Sequence, residues 1–401
     1  MRRGDWRPPA ILLKYYLYQA TTTFGFITPV FTLFLLWRDL SYAQIGVLGS
    51  LSAVFVVGSE IPTGYVGDRF GRRTSLLVGS ALLASSLVGF LVAETFVAFA
   101  GLYALWALGL AFQSGSGDAW LYEILEERLN ATRFTHVRGR GAAVNQWVGA
   151  ATMLASGFLY ESDPRLPFLV AAALLGCSLL VVLSMPSAQT DTDQGPYTIF
   201  EAIPVLRRRL SVPPLRSTVI YLALFFGVTS AANTYVQPTV TGPVGIHEAN
   251  LGPLYAGFAV LTALTSHYAG AIEARFSTKW ALVFVPGLVG VVLLFPLFLP
   301  VAALPAFALM KSARAALSPI ASGYVNDHVD SVGRATVLSA VSMLYAVVRV
   351  PLKPLTGLVA DATSVLVALA CLGGLFLVCG AVVLRWETPV GHSTPSPAST
   401  E

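Results

Sequence analysis

Gly64-Tyr65-Val66-Gly67-Asp68-Arg69-Phe70-Gly71-Arg72-Arg73 is a short polar stretch, rich in glycine and arginine, set between two long apolar runs. On its C-terminal side, residues 74–93 carry no charge; on its N-terminal side, residues 43–65 carry a single one, Glu60. The hydrocarbon core of a bilayer is roughly 30 Å thick and takes about 20 apolar residues of helix to cross. The stretch therefore reads as a turn at a membrane surface joining two crossings.

Working outward, further runs of the same kind appear at 11–37, 96–122, 137–160 and 166–185. A second set follows at 217–236, 251–271, 280–299, 302–324, 336–360 and 364–383. Twelve runs result. Unpaired backbone groups are too costly in lipid for anything but helices or a closed barrel, and these runs are about twice the length of a barrel strand. The composition agrees, with 55% hydrophobic residues, 11% charged residues and a mean hydropathy of +0.69; a soluble domain carries roughly a quarter of its residues charged. The first run is longer than a secretory leader and lacks a small-residue cleavage site, so it is expected to remain in the protein.

The positions of the cations orient the chain. Most of the 25 Lys and Arg residues fall on the side of the N-terminus, among them Arg2, Arg69, Arg72, Arg128, Arg207 and Arg385, whereas only Arg38 and Arg165 fall on the other side. Both termini are therefore expected in the cytoplasm, with the chain in the cell membrane. The net charge of +4 is a topology signal and not a nucleic-acid face.

The opening stretch has an echo. Gly270-Ala271-Ile272-Glu273-Ala274-Arg275-Phe276-Ser277-Thr278-Lys279 repeats its glycine, arginine, phenylalanine and final cation 206 residues later, and Gly157 to Glu161 is echoed by Gly357 to Asp361 at an offset of 200. These echoes predict a duplicated six-helix unit: an N-terminal bundle over 1–185, a cytoplasmic linker over 186–216, a C-terminal bundle over 217–387 and a tail over 388–401. The tail is too rich in Pro, Ser and Thr to bury a core and is expected to be disordered. The fold class is an all-α integral membrane protein of twelve transmembrane helices in two pseudo-symmetric bundles.

The pattern Gly64, Asp68, Arg69, Gly71, Arg72, Arg73, together with Leu40 to Gly46, where Ser41 can cap span two, and Glu60 to Gly64, resembles the major facilitator superfamily of transporters over nearly the whole chain. The resemblance implies alternating access by rocking of two bundles. It also implies that these six residues form a gating latch tying spans two and eleven in the outward-facing state. In physical terms, Gly64 would allow close helix approach, Gly71 a tight turn, and Asp68 a favourable place at a helix N-terminus. In the echo, Ala274 and Ser277 replace the acid and the second glycine, which leaves that copy degenerate.

Substrate chemistry is sought among polar groups inside the spans, where each is costly unless it has a task or a partner. Lys311 and Arg314 in span ten, and Arg349 and Lys353 in span eleven, are spaced three and four apart, so each pair shares a helix face. If they face a cavity they form a basic site for a small anion, with arginine able to bind a carboxylate or phosphate through two parallel hydrogen bonds. The alternative is pairing with acids or carbonyls, or snorkelling of Lys353 to the interface. Gln19, Asn145, Asn233 and Gln237 are further candidates for the cavity wall, or else for helix-to-helix hydrogen bonds. Asp118, Glu60 and His267 are the groups that could carry a coupling proton, although Asp118 and Glu123 are placed to meet Arg69, Arg72 or Arg138.

The five histidines and three cysteines show no metal-ligand spacing, and no nucleophile turn or phosphate-cradling loop is present, so neither an enzyme nor a cofactor is implied. The expected partners are a small-molecule substrate, membrane lipids and a coupling proton, with the chain a monomer. An exporter of hydrophobic compounds with the same fold is the second reading, and a transporter-like receptor or scaffold the third.

Overall fold

A computed structural model describes residues 9–187, 213, 215–327 and 334–387, leaving the side chains at 60, 61, 334–340 and 342 outside the description. The Glu60 side chain, nearly all of the 186–216 linker and the 388–401 tail thus lie outside the described residues.

Among the described residues there is no β-strand. Span one is α1 (Ala10–Thr21) and α2 (Phe31–Trp37), span two α3 (Tyr42–Phe70), span three α4 (Arg72–Val92), and span four α5 (Phe96–Gln113) with α6 (Ser116–Arg128). Spans five and six are α7 (Phe134–Ser162) and α8 (Leu166–Ser184). In the second half, span seven is α9 (Leu215–Ala232), a 3-10 turn (Asn233–Tyr235) and α10 (Val236–Thr241), and span eight is α11 (Leu251–His267) with α12 (Ala269–Phe276). Spans nine to twelve are α13 (Thr278–Val292), α14 (Ala303–Asp327), α15 (Arg334–Ala362) and α16 (Val365–Trp386). Eight of these helical stretches are long and apolar enough on their own to cross a membrane; the others are interrupted or carry polar ends.

Four runs that are continuous in sequence, spans one, four, seven and eight, are interrupted in space. Span one loses its helix between Thr21 and Phe31, and backbone groups freed inside a membrane must find partners. Gln237, buried at 4% exposure, supplies three contacts: its Oε1 accepts from the Thr32 and Leu33 amides at 2.7 and 3.3 Å, and its Nε2 donates to the Thr28 carbonyl at 2.8 Å. Ser156 donates to the Phe26 carbonyl. In span seven, Pro238 has no N–H, and its ring crowds the carbonyl four residues back. That position, Thr234, is in the 3-10 turn.

Ser41 caps span two as the sequence predicts, with a reciprocal pair in which Ser41 Oγ accepts from the Gln44 amide and Gln44 Oε1 from the Ser41 amide.

The chain packs as two compact units whose borders differ from the expected 185 and 217. One comprises Met1–Thr198, Gln237–Ala259 and Lys353–Asp361; the other comprises Ile199–Val236, Val260–Leu352 and Ala362–Glu401. The first unit gains its second-half segments through close backbone approaches that follow the repeat. A Cβ at Gly46 of α3 would overlap the Lys353 carbonyl, and one at Gly252 of α11 the Met153 carbonyl. A Cβ at Gly357 would overlap the Tyr42 carbonyl, and one at Gly157 the Ala249 carbonyl. Gly46 and Gly252 are 206 apart and Gly157 and Gly357 are 200 apart, so one contact has been built twice. Asp361 completes its copy by accepting from the Tyr42 and Ala43 amides, each at 2.8 Å, at the start of α3.

Candidate functional site: a cationic cavity

Within the second unit, α9, α14 and α15 enclose a cavity of about 350 Å³ whose wall includes both Arg314 and Arg349. Arg314 lies on α14, where a four-residue step places Ser318 and then Ser322 on the same wall; on α15, Val341, Tyr345 and Arg349 follow the same step. The sequence reading named the two arginines but not Phe226, Ser318, Ser322 or Tyr345. Extending each face by fours from its arginine would have found three of them.

Arg314 is fixed from one side. Its Nη1 donates to the Phe226 carbonyl and to Thr229 Oγ1, both at 3.2 Å, and its guanidinium carbon is 5.2 Å from the centre of the Phe226 ring. That carbonyl and hydroxyl, with the ring face, orient the positive charge without neutralising it. Among the described residues, Arg349 Nε has no hydrogen-bond partner, and neither arginine forms an ion pair with a described carboxylate. The Phe226 and Tyr345 rings, 4.9 Å apart, give the cavity an aromatic side. Two cations, one of them held by Phe226 and Thr229, with two serine hydroxyls and an aromatic wall suit an anion with an apolar body.

The other candidates are distributed elsewhere. Lys311 Nζ donates to Asn233 Oδ1 at 2.7 Å, linking α14 to the 3-10 turn of span seven, and neither residue lines the cavity. Lys353 falls in the first unit, its stem against Gly49 of α3, so the face it shares with Arg349 runs across the border between units. Gln237 was expected to contact substrate, but its side chain serves the interrupted backbone of span one. Asn145 does similar work, donating to the Gln19 carbonyl at 2.8 Å, while Gln19 donates to Tyr15 Oη at 3.0 Å. Asn145 and Gln237 thus act mainly as backbone braces, because span one is not one continuous helix.

The latch stretch forms the turn between α3 and α4. Gly71 has φ of 90°, a backbone region that side chains disfavour. Arg72 lies between two carboxylates, 2.6 Å from Asp68 and 3.4 Å from Glu123 of α6. Arg73 donates to the Val182 and Leu183 carbonyls of α8, and Arg69 to Tyr65 Oη at 2.7 Å. One reason given for the motif fails: a Cβ at Gly64 would meet nothing within 4 Å, whereas one at Gly67 would come within 3.0 Å of Ser75 Oγ and 3.1 Å of Arg72 Nη1. Close approach belongs to Gly67. Asp68 also stands at the end of α3 as an ion-pair partner of Arg72 rather than as a helix cap. Asp118 pairs with Arg138 at 2.8 Å, as its place in the sequence suggested, and His267 is exposed at the break between α11 and α12, its ring edge-on to Tyr268.

Residues 19–244 match the family model of the Major Facilitator Superfamily. The chain is 26% identical over 271 residues to the uncharacterized MFS-type transporter YxaM of Bacillus subtilis (strain 168), covering 64% of this chain and 63% of that one. It is 26% identical over 204 residues to the vesicular acetylcholine transporter of Mus musculus, covering 49% and 36%. The chain therefore spans less than two thirds of either relative. The crystal structure of the nucleoside transporter NupG superposes with a TM-score of 0.77 over 94% of this chain and 97% of that one, at 13% identity, which is a likeness of fold. With more than half of its length inside the family model and a twelve-helix architecture, the chain belongs to the major facilitator superfamily.

Proposed function

We propose that this protein is a secondary transporter of the cell membrane that moves a small anionic solute by alternating access, both termini in the cytoplasm and Arg314 and Arg349 holding the anion. The observation that carries the reading is the shared cavity of these arginines, which among the described residues contains no carboxylate to neutralise them. Two like charges on one cavity wall repel each other unless a counter-charge lies between them, and an anionic ligand would supply that charge in one of the two access states. Binding that differs between states is what couples a ligand to a conformational change. Transporter names among the relatives and the cation bias of the loops support the remainder of the reading.

The turn around Asp68, Arg72 and Arg73 is the proposed gate, its charges exchanging partners as the access state changes. For proton coupling, His267 is favoured over Asp118, since its ring is exposed while Asp118 is engaged by Arg138.

The test is thermal melting of the purified protein in detergent with benzoate, succinate and inorganic sulfate, set against tetraphenylphosphonium. A ligand of the native state raises the melting temperature as its concentration exceeds its dissociation constant. One or more anions should stabilise the protein, and Arg314→Gln or Arg349→Gln should abolish the effect. The aromatic pair of Phe226 and Tyr345 favours a second reading, an exporter of hydrophobic compounds. Stabilisation by the lipophilic cation alone, unchanged by either substitution, would establish it in place of the first.

A further inference from the structure

A second concavity lies on the flank of the same unit, formed by α9, α13 and α16, with a volume of about 710 Å³. Its walls are apolar almost throughout. Trp280 and Phe284 stack along one side with centroids 5.0 Å apart, while Phe376 and Leu384 of α16 form the other. Tyr221 lines it as well, its hydroxyl donating to the Val283 carbonyl at 2.9 Å. Gly287 keeps the groove deep. A Cβ there would touch Tyr221 Oη at 3.9 Å and meet no other atom within 4 Å, so the glycine leaves room beside that hydroxyl.

One end of the groove is polar. Lys279 and Ser277 line it there, at the first turn of α13, where the helix dipole favours an anion, the Trp280 amide donates to Ser277 Oγ and Thr278 donates to the Glu273 carboxylate. Arg385 and Trp386, both exposed at the end of α16, stand just beyond Leu384. Tryptophan beside basic residues marks the headgroup level of a bilayer. From Trp280 to Val291 the helix rises ~17 Å, which matches one leaflet of a core of roughly 30 Å. Trp280, Phe284, Leu288 and Val291 are exposed along this length.

We infer that this groove is a binding site for an anionic phospholipid, one acyl chain lying between α13 and α16 and the phosphate held at Lys279. The matching features are independent: an apolar channel as long as one leaflet, and a lysine in the first turn of a helix at the end where a headgroup would lie. Basic pockets between transmembrane helices are suited to such headgroups.

The test is native mass spectrometry of the detergent-purified full chain titrated with phosphatidylglycerol or with phosphatidylcholine of the same chains. Wild-type protein should hold phosphatidylglycerol in preference by about five-fold, the effect of one well-placed cation. Lys279→Gln should remove that preference while leaving chain binding, and Gly287→Leu, which fills the open space, should reduce retention of both lipids. As a readout that needs no groove-filling variant, phosphatidylglycerol brominated on its chains should quench wild-type tryptophan fluorescence more than that of Trp280→Phe. Equal retention of the two lipids by wild-type protein, undiminished binding to Gly287→Leu, or no Trp280-dependent quenching would each overturn the assignment.

Discussion

The turn at Gly71 and the turn at Ser277 have nearly the same backbone and different chemistry. Their φ and ψ angles are 90° and 148° in the first and 70° and 150° in the second, and they stand 206 residues apart. Around Gly71, Arg72 bridges Asp68 and Glu123, and Arg73 binds the carbonyls ending α8. Around Ser277 the acid is replaced by Ala274, Thr278 donates to Glu273 at 2.7 Å, and Lys279 faces the apolar groove. The path from one crossing to the next requires the backbone shape in both halves, even where a serine must adopt it. Among the described residues the charge network is a separate layer, found in the first half and not the second, as the proposed gate on one side of a duplicated scaffold would have it.

That separation can be tested by perturbing matched positions. The largest effect is expected at the paired contacts of Gly157 and Gly357, because a Cβ at either would overlap a backbone carbonyl, of Ala249 or Tyr42. Gly157→Ala and Gly357→Ala should each destabilise the protein by about 1–3 kcal/mol, seen as a lower melting temperature in detergent. If only one copy is sensitive, the two contacts are not structural equivalents.

Next come the turns themselves. Gly71→Ala should cost about 1–3 kcal/mol, since it places a side chain in a region almost reserved for glycine. Ser277→Gly should stabilise by roughly 1 kcal/mol: it relieves that strain and loses only the weak cap at the Trp280 amide, worth a few tenths of a kcal/mol against glycine. Denaturation of the two variants side by side checks the opposite signs, and a loss in both would show that the serine is not strained.

Smaller differences should separate the charged copies. Asp361 caps α3 with both oxygens, and Asp361→Asn should cost about 1 kcal/mol. Its echo Glu161 lies 3.8 Å from His247, both well exposed, and Glu161→Gln should change stability by less than about 0.5 kcal/mol. Asp68→Asn should be equally small in stability, since its i,i+4 pair with Arg72 is half exposed and worth about 0.3–0.5 kcal/mol. Its transport rate in reconstituted vesicles should nonetheless fall, and an unchanged rate would remove the gating role.

Much of this was legible in the sequence because lipid imposes simple rules. The twelve crossings follow from the apolar runs, the Ser41 cap from its spacing to Gln44, and the pairing of Asp118 with Arg138 and of Glu123 with Arg72 from their shared place near one end of the spans. The breaks in spans one and seven were not legible, since hydropathy continues through them and the repair of span one comes from Gln237, 205 residues from Thr32. Helical spacing put Arg349 and Lys353 on one face, yet α15 passes from one compact unit to the other between Leu352 and Lys353, a border no local pattern records. The arginine cavity was half legible: its charges were conspicuous in an apolar run, while Phe226 and Tyr345 looked like ordinary core.

The central claim is that Arg314 and Arg349 act on one bound anion. A double-mutant cycle tests it most directly, with calorimetric binding of the best-stabilising anion to wild-type protein, Arg314→Gln, Arg349→Gln and the double variant. Each single change should weaken binding by about tenfold or more, and the double change should cost clearly less than the sum, because both remove contacts to the same ligand. Binding that survives both substitutions, or losses that add independently, would contradict a shared anion site.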